Sequence, residues 1–196
     1  KEYNTILAQF QHPTQFLQTL IDSSCININR LELVIPSTVR HLYFNLEMEI
    51  KPNSLPEKLH VLTLGSLFNL EIKPDTLPDA LHTLDLGWSF NCKIKPKVLP
   101  KNLHTLKMGA AFNQDIESDV LPTNLHTLDL GGILNQEIKP NVLPKNLHTL
   151  NLSLEFNQDI KPNVLPTNLH TLDLGGVFNQ EIKPNVLPKN LHTLNL

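Results

Sequence analysis

Leucines recur along this chain in the spacing L-x-x-L-x-L, as at Leu169, Leu172 and Leu174, and the whole phrase returns every 22 residues. Leu-Pro pairs mark the register at Leu55-Pro56, Leu77-Pro78, Leu99-Pro100, Leu121-Pro122, Leu143-Pro144, Leu165-Pro166 and Leu187-Pro188. Within a unit the last two leucines flank one outward residue, the pattern of a short half-buried strand. Gly175-Gly176 then permits a tight corner. Phe178 points inward, and Asn179 is placed to bond the backbone of neighbouring coils. Ile182-x-Pro184 begins a return path whose prolines fix φ and remove donors, which keeps that side from becoming a helix.

One unit cannot bury its own leucines, so units must stack. The expected fold is mainly β: a leucine-rich-repeat-like, right-handed solenoid of 22-residue coils over residues 36–196, with a parallel sheet on one face. Eight strand positions start at Val39, Leu59, Leu81, Leu103, Leu125, Leu147, Leu169 and Leu191. An extended return path needs little more room than the strands, so a thin, weakly curved array is expected, with a second short strand around each Ile-x-Pro. The first unit is short, with only 20 residues from Pro36 to Pro56.

Residues 1–35 read differently. Tyr3, Ile6, Leu7 and Phe10, then Phe16, Leu17, Leu20 and Ile21, have helical spacing, and Ile28-x-x-Leu31-x-Leu33 resembles a degenerate strand. Together they are expected to form a helical N-terminal cap over the open end of the core. No such cap is visible at the other end, where an open coil edge invites pairing with a second copy into a homodimer. The start at Lys1 and the end at Leu196 in mid-repeat suggest a fragment or a processed chain.

Composition adds mainly exclusions. A formal net charge of −3 and a pI near 6.3 give no general basic field for nucleic acid or an anionic membrane. No apolar run approaches the roughly 18 residues that span a bilayer, and the N-terminus lacks the apolar region of a secretory signal. Cys25 and Cys92 form no spacing motif. A reducing, intracellular and cytoplasmic setting is therefore expected. Asn151-Leu152-Ser153 is a lone glycosylation sequon.

The unit F-N-Q-E-I-K-P-N-V-L-P closely resembles the FNIP repeat, a 22-residue relative of the leucine-rich repeat abundant in social amoebae and giant DNA viruses. The signature stands at Phe68-Asn69 with Ile72-x-Pro74, Phe90-Asn91 with Ile94-x-Pro96, Phe156-Asn157 with Ile160-x-Pro162, and Phe178-Asn179 with Ile182-x-Pro184. Leu134 replaces the Phe in one unit, and Ser118 the Pro in another. The resemblance covers residues 36–196 and implies a viral protein and a protein-binding role. Family members often carry an N-terminal F-box, which implies substrate recognition for a ubiquitin ligase where one lies upstream. It brings no catalytic residue and no cofactor.

Repetition turns every position into a column of copies. The histidines His60, His82, His104, His126, His148, His170 and His192 offer metal-ligating or pH-sensing chemistry. The bland reading, which we favour, is a structural stack leaning to the leucine side with its ring nitrogens bonded to backbone. The asparagines Asn69, Asn91, Asn113, Asn135, Asn157 and Asn179 read as an amide ladder satisfying turn backbone. A threonine column from Thr83 to Thr193 faces out of the sheet, but its charged neighbour argues against an ice-binding face.

That neighbour is Tyr43, Thr63, Asp85, Lys107, Asp129, Asn151, Asp173 and Asn195. Two carboxylates on stacked strands form a glycosidase pair only in a unique, asymmetric site. Here the aspartates are copies on a smooth surface, so no enzyme, catalytic residue, metal site or cofactor is expected. This column is instead the expected contact surface for a protein partner, flanked by the corner residues Trp88, Leu67, Ile133, Leu154 and Val177, which vary more between coils, with Trp88 its hot spot. Residues 121–142 and 165–186 agree at 20 of 22 positions, and LPKNLHTLNL stands at both 143–152 and 187–196. The C-terminal half is thus a 44-residue doublet in tandem, as suits a modular surface.

Overall fold

Each L-x-x-L-x-L phrase becomes one short strand in the computed structural model, which describes residues 35–196. The strands are β1 His41–Phe44, β2 Val61–Leu64, β3 Thr83–Asp85, β4 Thr105–Lys107, β5 Thr127–Asp129, β6 Thr149–Asn151, β7 Thr171–Asp173 and β8 Thr193–Asn195. All are parallel and lie in chain order in one eight-stranded sheet. Pairing is strictly in phase, so that Leu62, Leu84, Leu106, Leu128, Leu150, Leu172 and Leu194 stand in one file. The result is a parallel-strand solenoid of about seven coils. The expected helical cap and degenerate strand lie outside the described residues.

Three leucine-type files fill the interior: the Leu59 to Leu169 file, the Leu62 to Leu172 file, and Leu64, Leu86, Met108, Leu130, Leu152 and Leu174. Burial of each such side chain stabilises the array by about 1.5–3 kcal/mol. Phe68, Phe90, Phe112, Leu134 and Phe156 complete the core at the far end of the strand. Phenylalanines on adjacent coils lie 6.2–6.4 Å apart between ring centres, with planes within 9°. The histidine rings, by contrast, are spaced 5.0–5.3 Å. The coils therefore open toward the phenylalanine corner.

No second strand forms around Ile-x-Pro among the described residues, contrary to expectation. The return path is folded into two consecutive turns instead. In the first, Pro (Ser118 in one coil) sits at the second position, and the next residue adopts φ of 60–68° at Asn53, Asp75, Lys97, Asp119, Asn141, Asn163 and Asn185. The N–H two places beyond Pro closes it, as from Val164 to the Lys161 carbonyl at 3.3 Å and from Val186 to Lys183 at 3.3 Å. Pro followed by a left-handed Asn or Asp is the chemistry of a type II turn. The second turn runs from the Leu-Pro proline to the first strand leucine, as from Leu169 N–H to the Pro166 carbonyl at 3.1 Å. Two turns in sequence leave no extended run to pair.

Lysines and acids flanking each return-path isoleucine pair diagonally between coils. Lys73 bonds Glu49, Lys95 bonds Glu71, Lys139 bonds Asp115 and Lys183 bonds Asp159 at 2.5–2.7 Å, and Lys161 bonds Glu137. One pair, Lys93 with Glu117 at 2.7 Å, keeps the same diagonal with the signs exchanged. The carboxylate partners hold the Lys73, Lys139 and Lys183 ammonium groups above the ordinary lysine value, chiefly through the hydrogen bond itself.

The corners after the strands come in two alternating forms. After β3, β5 and β7 a glycine takes positive φ: Gly87, Gly131 and Gly175, at 75°, 82° and 85°. Each donates its N–H to the carboxylate two residues earlier, Asp85, Asp129 or Asp173, at 3.0 Å. After β2, β4 and β6 the chain instead closes a hydrogen-bonded turn, from Phe68 N–H to Gly65, Phe112 to Gly109 and Phe156 to Ser153, at 2.9–3.1 Å. The two forms fit each other closely, since a Cβ on Gly175 would lie 2.0 Å from the Ser153 carbonyl oxygen. The structural repeat is therefore two coils, matching the doublet in the sequence.

Two consequences can be measured by chemical denaturation. Gly175→Ala should cost at least about 2 kcal/mol, from its left-handed φ and its clash with backbone. Gly176→Ala, next door, meets nothing nearer than 4.0 Å and should change stability by about 0.5 kcal/mol or less. Equal costs would remove the close corner packing. Second, Thr76 is buried with its hydroxyl unpartnered, in the file where other coils carry Val98, Val120, Val142, Val164 and Val186. Thr76→Val should stabilise the chain by about 1–2 kcal/mol.

Candidate functional site

Most polar columns are spent on joining coils. The Oδ1 of Asn69, Asn91, Asn113, Asn135 and Asn157 accepts the N–H of the asparagine one coil on, at 2.9–3.3 Å. For the Asn91, Asn113, Asn135 and Asn157 oxygens, a glutamine Nε2 from the next coil donates a second bond at 3.0–3.1 Å. This is the asparagine ladder expected from the sequence, although its amides are exposed or half-buried rather than buried. A second ladder went unread there. Asn102, Asn124, Asn146, Asn168 and Asn190 each donate Nδ2 to a carbonyl of the preceding coil at 3.0–3.1 Å.

The histidines do not lean toward the leucines. His60, His82, His104, His170 and His192 are exposed, and His126 and His148 are half-buried. The residue's backbone does the stacking: each carbonyl from His60 to His170 accepts two N–H groups from the next coil, at 2.8–3.1 Å. Of the rings, His104 Nδ1 contacts the Asn102 carbonyl at 2.6 Å, whereas His126 and His148 Nδ1 are buried without a partner. Alternation fails here because the ladder strand begins only at the following threonine, after the chain has turned out of the Pro-x-x-Leu turn. Among the described residues, no group of three or more His, Cys, Asp or Glu side chains is placed to hold a metal ion.

The expected contact column divides into two kinds of residue. Tyr43, Lys107 and Asn195 are exposed, and Thr63, Asp85, Asp129, Asn151 and Asp173 are half-buried. The three aspartates are also committed, each holding its positive-φ glycine, and Asn195 Nδ2 donates to Asp173 at 3.2 Å. The sequon is structural as well. Ser153 is fully buried, donates to the Gly132 carbonyl at 2.7 Å and accepts the Glu155 N–H at 3.1 Å.

What no ladder uses is the corner just past each strand. Leu67, Trp88, Ile133, Leu154 and Val177 are exposed there at 62%, 69%, 47%, 65% and 47%. Backbone bonds align these corners, as from Ser89 N–H to Ser66 and from Ala111 N–H to the Trp88 carbonyl, at 2.9–3.0 Å. The large residue alternates between two adjacent positions, leaving Ser66, Ser89, Gly132, Glu155 or Gly176 at the other, while Ala110-Ala111 fills both in one coil. An apolar ridge thus runs along six coils beside the sheet. Trp88, the hot spot expected from the sequence, and the four corner residues expected to flank the strand column with it make up this ridge.

The sequence model of the FNIP Repeat family matches residues 68–111, 112–155 and 156–196. Among solved structures the chain is similar to CroV588, a giant-virus protein described as a novel circular LRR protein structure. The match has a TM-score of 0.78 at 42% identity and covers 82% of this chain and 24% of that one. The chain thus spans about a quarter of that protein's length. No curated protein matches it.

The asparagine ladder makes a direct prediction for stability. Asn135→Ala leaves the Asn157 N–H and the Gln158 amide without their acceptor and should cost about 0.5–1.5 kcal/mol in urea unfolding. Asn135→Asp keeps an acceptor and should cost less; an equal loss would mean that the amide acts through packing alone.

Proposed function

The chain belongs to the FNIP repeat family, and on that premise we propose that it works as a non-catalytic protein-interaction scaffold. The observation that carries the reading is the corner ridge. Exposed apolar side chains scattered singly are ordinary, but a contiguous, aligned set marks a contact surface. The exposed ends of Tyr43 and Lys107 lie in the strand column beside it. A partner spanning both would meet an apolar seam with a polar rim, the usual anatomy of a protein interface.

Catalysis has little to build on. The aspartates repeat on alternate coils, and each has an oxygen tied to a glycine N–H in the same way. A reacting site needs one asymmetric constellation rather than copies. The wider spacing at the phenylalanines than at the histidines, together with the likeness to a circular protein, supports an array more strongly curved than its proline-rich return path led us to expect.

Trp88 is the natural anchor, being the one tryptophan and the most exposed member of the ridge. Trp88→Ala should weaken capture of the partner at least about tenfold, with circular dichroism and the unfolding midpoint unchanged. Quantitative affinity capture with wild-type and variant bait measures it. Equal capture by the two would remove Trp88 from the site.

A further inference from the structure

The ridge has a repeat of its own, and that repeat constrains what can lie along it. Adjacent phenylalanines, next to the ridge positions in sequence, are 6.2–6.4 Å apart, so five intervals make a ridge about 30 Å long. An α-helix repeats every 5.4 Å or so and would be nearly a whole step out by the far end. A second copy of the chain matches the repeat by construction.

Charge and the apolar corners together then select one arrangement. In an antiparallel pair about a two-fold axis, the strand columns of the two copies run side by side, so like charges must not face each other. With the axis through the Ala110 coil, Lys107 meets Lys107 and Asp85 meets Asp129. An axis through the Gly132 coil opposes Asp129 to Asp129 and Asp85 to Asp173. Midway between those coils, Lys107 faces Asp129, Asp85 faces Asn151 and Thr63 faces Asp173. That register also brings all six apolar corners into use: Trp88 lies opposite Leu154, Leu67 opposite Val177, and Ile133 opposite Ala110-Ala111.

We propose that the chain pairs with a second copy of itself through this ridge, antiparallel, in the register that sets Trp88 of one copy on Leu154 of the other. The inference rests on the reading of the ridge as the contact surface and names its occupant. A strip this narrow falls below the area of a standard stable interface, so the dimer is weak.

The single tryptophan reports on the contact. Within one chain Leu154 stands three coils away from Trp88, so Leu154 can reach its environment only from a second copy. Under reducing conditions, the mass from sedimentation equilibrium and the Trp88 emission of the full chain are followed across the micromolar to millimolar range. The expected result is a rise toward dimer mass and a blue shift of emission with the same midpoint. Leu154→Glu, at an exposed position, should raise the dissociation constant at least about tenfold and abolish the shift. Val177→Glu should weaken the dimer independently, and Leu70→Gln, off the ridge, should leave it intact.

Three results would overturn the proposal. A chain that stays monomeric throughout, while Leu154→Glu still loses a captured partner, would reject the second copy and keep the scaffold reading. A dimer indifferent to Leu154→Glu and Val177→Glu would place self-association elsewhere, such as the terminal coil edge. Dimerisation without any change in Trp88 emission would refute the register.

Discussion

In this array the nearest neighbour of almost every side chain, outside its own coil, is the same position one coil away. Strict in-phase pairing of the eight strands imposes this on every column. Leucine and phenylalanine gain from meeting a copy of themselves. Amides do as well, because a carbonyl oxygen can accept from the next coil while the amide nitrogen donates elsewhere. Carboxylates and ammonium groups cannot, since like charges a strand spacing apart repel. The strand column therefore runs Thr63, Asp85, Lys107, Asp129, Asn151, Asp173, Asn195, with no two like charges adjacent. The left-handed turn column, Asn53, Asp75, Lys97, Asp119, Asn141, Asn163, Asn185, obeys the same rule. Where acids do stack, as at Glu137, Asp159 and Glu181, the diagonal lysines lie beside them. The exposed Glu57 and Asp79 are an exception for which we have no account.

The charges add little to stability, because exposed ion pairs are individually worth little; the leucine files supply that. Their effect is selective. A leucine file would accept any coil of the array as a neighbour, whereas the exchanged signs at Lys93 and Glu117 make those two coils fit each other and few others. The alternating corners act in the same direction. A positive-φ glycine brings backbone against backbone, and its neighbour must take the hydrogen-bonded form to receive it. Two coils are thus the smallest piece that can be copied without a mismatch, a physical reason for near-identity between residues 121–142 and 165–186.

Periodicity made the sheet, the core files and the asparagine ladder legible in the sequence, because each follows from residue type at a fixed offset. Features set by backbone conformation were not. Lys-Pro-Asn was read as an extended segment, although Pro followed by Asn or Asp carries the signal of a turn. The second amide ladder, at Asn102 to Asn190, was hidden because its bonds depend on where the carbonyls of the preceding turn point. The lysine diagonals join residues 24 apart, off the 22-residue register in which columns were sought. Histidine was placed on the wrong side because strand alternation was extended one residue beyond the strand. In the candidate site, Trp88 and the other corner residues, Leu67, Ile133, Leu154 and Val177, are legible as variable positions flanking the strand column, but their exposure and alignment as one ridge are not, since the large residue alternates between two positions and no single column contains it.

That alternation bears on what the ridge is for. A residue required by the fold of a repeat array recurs in one column, as leucine, phenylalanine and asparagine do here. The corner residues obey no column and differ in type, yet five of the six coils place one large apolar side chain there, roughly half or more exposed. Folding gains little from an apolar group left in water, and the ladders that join the coils do not use these side chains. A feature maintained across coils without serving the stack is best explained by something outside the chain. The strand column, which looked more like a site from the sequence, is bound by the stacking rule and by the glycine turns, so its charges have a sufficient structural cause. The ridge has none within the coil, and recognition is accordingly better sought there than on the face of the sheet.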